Sequence, residues 1–259
     1  MLIIKFLLAA TLVKLVKSKY PMEAKIVNGI KVPIMKFAHS AFMVVYLPTE
    51  SYLCGASIVT QNILLTAAHC IESCGMKCAR ADVFVGNADK RFGYKFPILH
   101  TIRHEKYSPD EVRNDIGLIL LKNELPLSKY IMRVALMREP PIEQTAFLAG
   151  WGLIDEIQHI STNYLHFTKQ KIWSYKKCRR KILSLPKGTL CGGDIRGKNY
   201  GAEGDSGSAL VIKDYIQIGI VSYKRPDVSN SLLVYTNVAY FYDWIENNSR
   251  KIFCGSLLN

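Results

Sequence analysis

From Ile26 onward the chain breaks into short apolar or alternating runs, FMVVYL, ASIV, NILLTAA, DVFVGN, IGLILL, TAFLAGW, SALVI, YIQIGIVSY and LLVYTNV, with turn-favouring residues between them. Runs this short suit strands better than helices, and strands repeated at this spacing predict an antiparallel sandwich or barrel. A single helix is expected, near the end around AYFYDWIENNSRK, where Tyr240, Trp244 and Ile245 can share one face. The stretch LPLSKYIMRVALMREPPIEQT, with Pro126, Pro140 and Pro141, is the candidate connection between two domains. With 259 residues, 49% of them hydrophobic, the chain can bury a core without metal staples.

The first residues, MLIIKFLLAATLVKLVKSKY, place Lys5 before the apolar run from Phe6 to Val13, with Val16 and Ser18 where signal peptidase prefers small residues. Residues 1–18 therefore read as a secretory signal and the protein as extracellular. A spanning helix needs about 20 apolar residues; Lys14 and Lys17 interrupt this segment, and no later stretch approaches that length, so no membrane partner is expected. Secretion makes disulfides the expected use of the seven cysteines, and an odd number leaves at least one unpaired. Cys70, Cys74 and Cys78 recur every four residues, but four-ligand zinc sites pair such a motif with a distant second one, so neither a metal nor another cofactor is expected.

The formal charge is +13, and from Ile26 onward 29 basic residues face 20 acidic ones. The basic residues lie in segments read as loops, such as KQKIWSYKKCRRK (169–181), without the motifs of nucleic-acid modules. They read as a solvated basic face that can steer acidic partners, with no nucleic acid among them.

Chemistry is concentrated at YGAEGDSGSAL (200–210). A Gly-Asp-Ser-Gly run alone could be a loop that needs small residues and positive φ. Ser206 becomes a nucleophile only if an imidazole takes its proton, and the imidazole works only if a buried carboxylate holds its tautomer. ILLTAAHC (63–70) runs a strand into His69, and RNDIGLILL (113–121) sets Asp115 directly before an apolar strand. Taken separately, the first could be a structural histidine and the second a turn or cap residue.

With KIVNG (25–29), AGWG (149–152), IVSY (220–223) and VYTNV (234–238), these stretches resemble the chymotrypsin/trypsin family of serine proteases, in that family's order and spacing, from Ile26 to about Arg250. The chain order His69, Asp115, Ser206 differs from that of subtilisins and α/β-hydrolases, and Ser208 replaces the last glycine of the hydrolase elbow. The resemblance implies an all-β fold of two six-stranded antiparallel β-barrels, about 26–135 and about 136–259, with the active site between them and a C-terminal α-helix. It implies a monomeric serine endopeptidase acting on protein or peptide substrates, with protease inhibitors as further partners. Ser206 would be the nucleophile, His69 the general base and acid, Asp115 its orienter, and the N–H groups of Gly204 and Ser206 the oxyanion hole. Residues 19–25 would be a propeptide, removed by an activating protease that cuts after Lys25, so that the new amine of Ile26 pairs with Asp205. The resemblance also implies disulfides Cys54–Cys70 and Cys178–Cys191; the remaining cysteines read as a local Cys74–Cys78 bridge with Cys254 free.

The primary substrate pocket departs from the family pattern. Members that cut after Lys or Arg have an aspartate six residues before the nucleophile, where this chain has Tyr200. The positions two after Ser222 and two before Tyr235, glycine in the family, are Lys224 and Leu233, and Ala202 and Asp227 replace the cysteine pair that braces the pocket. A pocket of Tyr200, Lys224, Leu233 and Ser222 is therefore narrowed or reshaped: suited to small side chains, closed to ordinary substrates, or, through Lys224, open to something acidic. The alternative function is a protease-like binding or cofactor protein with a shut pocket. Calcium is not expected, since GNADKRFGYKF (86–96) has only Asp89. His39, His100, His104, His159 and His166 read as surface or loop residues. Asn247-Asn248-Ser249 fits a glycosylation sequon, and Tyr223 with IGIVSY reads as a rail for substrate backbone.

Overall fold

The computed structural model describes residues 26–74, 81–194, 197 and 199–256. After a 3-10 turn at Ile26–Asn28, the first seven strands are β1 (Ile30–Lys31), β2 (Ser40–Tyr46), β3 (Ser51–Ile58), β4 (Ile63–Thr66), β5 (Ala81–Val85), β6 (Tyr94–Arg103) and β7 (Gly117–Leu121). They are followed by β8 (Thr145–Gly150), β9 (Leu153–Asp155), β10 (Ile160–Ser161), β11 (His166–Ile172), β12 (Thr189–Gly193), β13 (Ala209–Ile212), β14 (Ile216–Lys224) and β15 (Leu233–Asn237). Strands β2-β3-β4-β7-β6-β5 close one antiparallel barrel. A second closes in the order β8-β11-β12-β15-β14-β13, because β8 pairs with both β11 and β13; β1 is added outside β11, and β9 with β10 forms a separate hairpin. Two six-stranded barrels are what the family resemblance implies, and the strand spacing alone predicts an antiparallel sandwich or barrel.

Why some strands lack alternation is visible in what covers them. Strand β5, ADVFV, buries every second residue, as a strand with one wet face does. Strands β4 and β7 are buried at every position: one face fills the barrel, and Phe241, just before the C-terminal helix, joins the same core with Ile245 and Ile252 of that helix. The 125–145 stretch is tied to both barrels, with Val134 N–H donating to Ile58 O at 2.8 Å and Ala135 N–H to Tyr215 O at 2.8 Å.

Several expectations need correction. The segment read as the loop 169–181 holds the end of β11 and a helix, α1 (Tyr175–Lys181), whose Ser174 hydroxyl caps the Lys177 N–H at 3.3 Å. Only Cys178 of that helix is buried, so no apolar period announced it; the cap, the cationic last turn and the Cys178–Cys191 disulfide hold it instead. The terminal helix, α2 (Tyr242–Ser256), starts after Tyr240, which is exposed, and turns Ile245, Asn248 and Ile252 inward. His39 and His166 are buried, and His104 stacks between Phe241 and Trp244. Among the described residues no helix is long and apolar enough to cross a membrane. The signal peptide, the propeptide and the pairing of Cys74, Cys78 and Cys254 fall outside what is described.

Burial makes His39 a determinant of acid stability. Burial drives its pKa down from 6.5 to about 4. The unfolded chain therefore binds a proton between those values that the folded chain refuses, so His39 favours folding above pH 6.5 and that advantage is lost as pH falls toward 4. The span corresponds to about 3 kcal/mol. In urea titrations, wild type is expected to lose about that much relative to His39→Asn between pH 7 and pH 4; parallel pH dependences would refute it.

Candidate active site

Pairing of Thr66 with Gly117 brings the ends of β4 and β7 together, which sets His69 beside Asp115. Asp115 is 1% exposed. Its Oδ1 accepts the His69 backbone N–H at 3.0 Å, and its Oδ2 accepts from His69 Nδ1 at 2.9 Å and from the Ser222 hydroxyl at 2.5 Å. The Thr236 hydroxyl donates to the Asp115 carbonyl at 2.7 Å. Ser222 lies on β14 and Thr236 on β15, so the Asp115 carboxylate is held by one hydroxyl of the other barrel and its backbone carbonyl by a second. A carboxylate only accepts, so Nδ1 of His69 carries the hydrogen and Nε2 is left with a lone pair when the ring is neutral.

Electrostatics follow that arrangement. Burial alone would lower the His69 pKa, but the Asp115 hydrogen bond and charge, with Glu72 adding, raise it above 6.5. Burial alone would raise the Asp115 pKa; the bonds and charge of His69 and the Ser222 hydroxyl bring it below the usual carboxylate value. The Cys54–Cys70 disulfide anchors the 3-10 turn His69–Cys74, with the Cys70 sulfur 3.6 Å from Nε2. Cys54, His69 and Cys70 are spaced like a metal site, but both sulfurs are oxidised and offer no thiolate.

The serine sits on a tight turn. Asp205 N–H donates to Ala202 O and Ser208 N–H to Asp205 O, each at 3.0 Å, while Ser206 O accepts from Gly55 N–H at 2.6 Å and Gly207 N–H donates to Val221 O at 2.9 Å. Ser206 is thereby pinned between β3 and β14 with its side chain partly exposed. Gly207 has φ +82°, and a Cβ there would lie 2.3 Å from Gly55 O and 2.4 Å from Thr66 Oγ1, so no other residue fits. Gly204 has φ +92°. Leu153 N–H binds Glu203 O at 2.7 Å, and in a trans peptide this turns the Gly204 N–H to the opposite side. Ser208 and Ala209, which depart from the family pattern, are both buried without disturbing this turn.

Asp205 is fully buried, and its carboxylate accepts the N–H groups of Gly152 and Ala202, both at 2.9 Å. Burial pushes its pKa up to about 6 against those two bonds, with Glu156 adding to the rise and Lys224 opposing it. Ile26 is also fully buried.

At the expected pocket, Leu233 is 1% exposed and Lys224 lies with its ammonium 4.3 Å from the centre of the Tyr200 ring. The Ser222 hydroxyl faces Asp115 and not the pocket. Where a cysteine pair was missing, Arg225 binds Asp227 through Nε at 2.8 Å and Nη2 at 2.6 Å. Glu156, which sequence reasoning passed over, holds the Lys224 ammonium. Nothing local marks that glutamate; only the placement of the β9–β10 hairpin brings it there.

Comparison with known proteins bears on this geometry. Residues 26–245 match the family model described as Trypsin. A chymotrypsin of Phaedon cochleariae is 32% identical over 232 residues, covering 87% of this chain and 82% of that protein. Cathepsin G of Mus musculus is 29% identical over 235 residues, covering 88% and 86%. The solved structure of HL collagenase superposes with a TM-score of 0.76 at 25% identity, over 86% of this chain and 98% of that one. An inactivated protease paralogue of the scabies mite, with a TM-score of 0.77, 21% identity and coverage of 87% and 97%, shares the fold.

Proposed function

Because the chain belongs to the trypsin family of serine proteases, we propose that it is a secreted endopeptidase working through His69, Asp115 and Ser206. The observation that carries the reading is the doubly bonded His69–Asp115 pair, with the ring tautomer set so that Nε2 can accept a proton. In the mechanism known for this family, Ser206 Oγ attacks the scissile carbonyl as its proton passes to His69 Nε2. The oxyanion is received by the N–H groups of Gly204 and Ser206. Collapse expels the amine, which takes the proton from His69, and water then cleaves the acyl-enzyme by the same steps. Ser222 and Thr236 act behind Asp115, holding it charged and in place.

Residues 1–18 act as the signal and 19–25 as the propeptide in this reading, with one protease domain from residue 26 onward. An activating protease cuts after Lys25, and the freed Ile26 amine neutralises Asp205. Protein substrates and protease inhibitors are the partners. A catalytically silent binding protein is not favoured, since the sequence relatives named above are proteases.

The test is a peptide-library profile of the Lys25-cleaved protein. A defined cleavage preference that vanishes in Ser206→Ala supports the reading, and no Ser206-dependent cleavage of any peptide overturns it. The pH profile should agree. The base must be neutral and its pKa lies above 6.5, so kcat/KM is expected to rise with pH through a limb centred above that value. A limb centred below 6.5 contradicts the His69–Asp115 coupling. The same shift makes His69 stabilise the fold fully below pH 6.5, an effect lost as pH rises through its folded pKa.

A further inference from the structure

An ion pair lies at the positions that the family resemblance assigns to the primary pocket. Lys224, the last residue of β14, sets its Nζ 2.6 and 2.5 Å from the two carboxylate oxygens of Glu156. The same ammonium rests over the face of Tyr200 at 4.3 Å. Burial first, then the Glu156 charge, raise the Tyr200 pKa. Leu233 closes the apolar side. The Lys224 ammonium is thus held between a carboxylate and an aromatic face, at side chains only 23% and 30% exposed for Lys224 and Glu156.

Glu156 reaches this spot from the tip of the β9–β10 hairpin, a two-stranded sheet apart from both barrels. Ile157, its neighbour, is 95% exposed. Glu156 lies in the turn after β9, so its side chain can leave Lys224 for water by moving within that turn, without disturbing either core.

Resting on the protease reading above, we propose that Lys224 and Tyr200 form a carboxylate-binding primary subsite that takes aspartate or glutamate just before the scissile bond. Glu156 is the chain's own occupant of that subsite, displaced when substrate binds. Exchange of one carboxylate for another keeps Lys224 paired, and the released Glu156 regains its hydration. The other classes of side chain fare worse. A lysine or arginine would meet Lys224 with like charge. An aromatic group would separate the ion pair and leave a partly buried ammonium unpaired, which is costly. A small side chain would leave the pair intact and gain nothing from it.

The test reads binding without turnover, using a blocked tetrapeptide that ends in Glu and the protein beginning at Ile26 with Ser206→Ala. The Glu peptide is expected to bind at least about 10-fold tighter than its Gln counterpart, as hydrogen bonds to a charged partner imply. Glu156→Gln should tighten the Glu peptide further, Lys224→Gln should erase the discrimination, and Lys224→Arg should retain it, which separates loss of charge from loss of fold. Equal affinity for Glu and Gln, or tighter binding of peptides ending in Lys, Phe or Ala, overturns the proposal. A protein that reacts at Ser206 yet binds without regard to acid would lose this subsite and keep its protease chemistry. A protein that prefers acid yet never reacts at Ser206 would do the reverse.

Discussion

Replacement of Ser206 by alanine in the Lys25-cleaved protein is expected to lower kcat/KM on a cleaved peptide by at least about 10⁴-fold, with the fold unchanged. Neighbouring groups among the described residues are engaged elsewhere. The Cys54 and Cys70 sulfurs are locked in a disulfide, and the Ser222 hydroxyl is committed to Asp115. Removal of one Oγ leaves the turn intact, because Ser206 is held by its carbonyl through Gly55 N–H and by the neighbouring Gly207 N–H. Near-wild-type turnover in this variant would remove Ser206 from the chemistry. The His69→Ala and Ser206→Ala losses should also fail to add, since the two act on one proton.

Cleavage after Lys25 is expected to have the second large effect. In the uncleaved chain the Asp205 carboxyl titrates near pH 6, so above that pH the precursor holds a buried charge with only two backbone donors. The shift from 3.8 corresponds to about 3 kcal/mol. For a carboxylate whose pKa is raised by folding, stability falls as pH rises from its unfolded value to its folded one. The Ile26 ammonium would cancel that loss, and removing one member of such a buried pair costs about 3 to 5 kcal/mol. Activity is thus expected to rise about 10²- to 10⁴-fold on cleavage at neutral pH. Asp205→Asn should leave the cleaved protein as inert as the precursor, and Lys25→Gln should block activation by a protease that cuts after basic residues. Equal activity before and after cleavage would contradict this switch. So would an Asp205→Asn protein that is fully active once cut.

Much of this was legible in the sequence, for stated physical reasons. The strands of both barrels could be read because β4 and β7 are continuous apolar runs and β5 alternates, and period is the signal a strand leaves. His69, Asp115 and Ser206 could be named because LTAAHC, NDIGLILL and GDSG stand in the order and spacing of the family, and pairing of β4 with β7 sets the first two side by side. What could not be read depends on contacts with no local period. Helix α1 has one buried residue in seven, so its cap and disulfide define it. The burial of His39 and His166 is not legible because a histidine in a short segment gives no sign of which way it faces. Ser222 was placed in the pocket by position along the chain, while its hydroxyl turns to Asp115. Glu156 was invisible because its partner Lys224 lies 68 residues away, joined by a fold and by no motif.

The most direct measurement is the mass of the Lys25-cleaved protein after exposure to a fluorophosphonate, followed by peptide mapping. A single covalent adduct on Ser206, lost on acid denaturation before exposure and in His69→Ala, is the predicted result. An unmodified chain, or an adduct on another residue, would contradict the account.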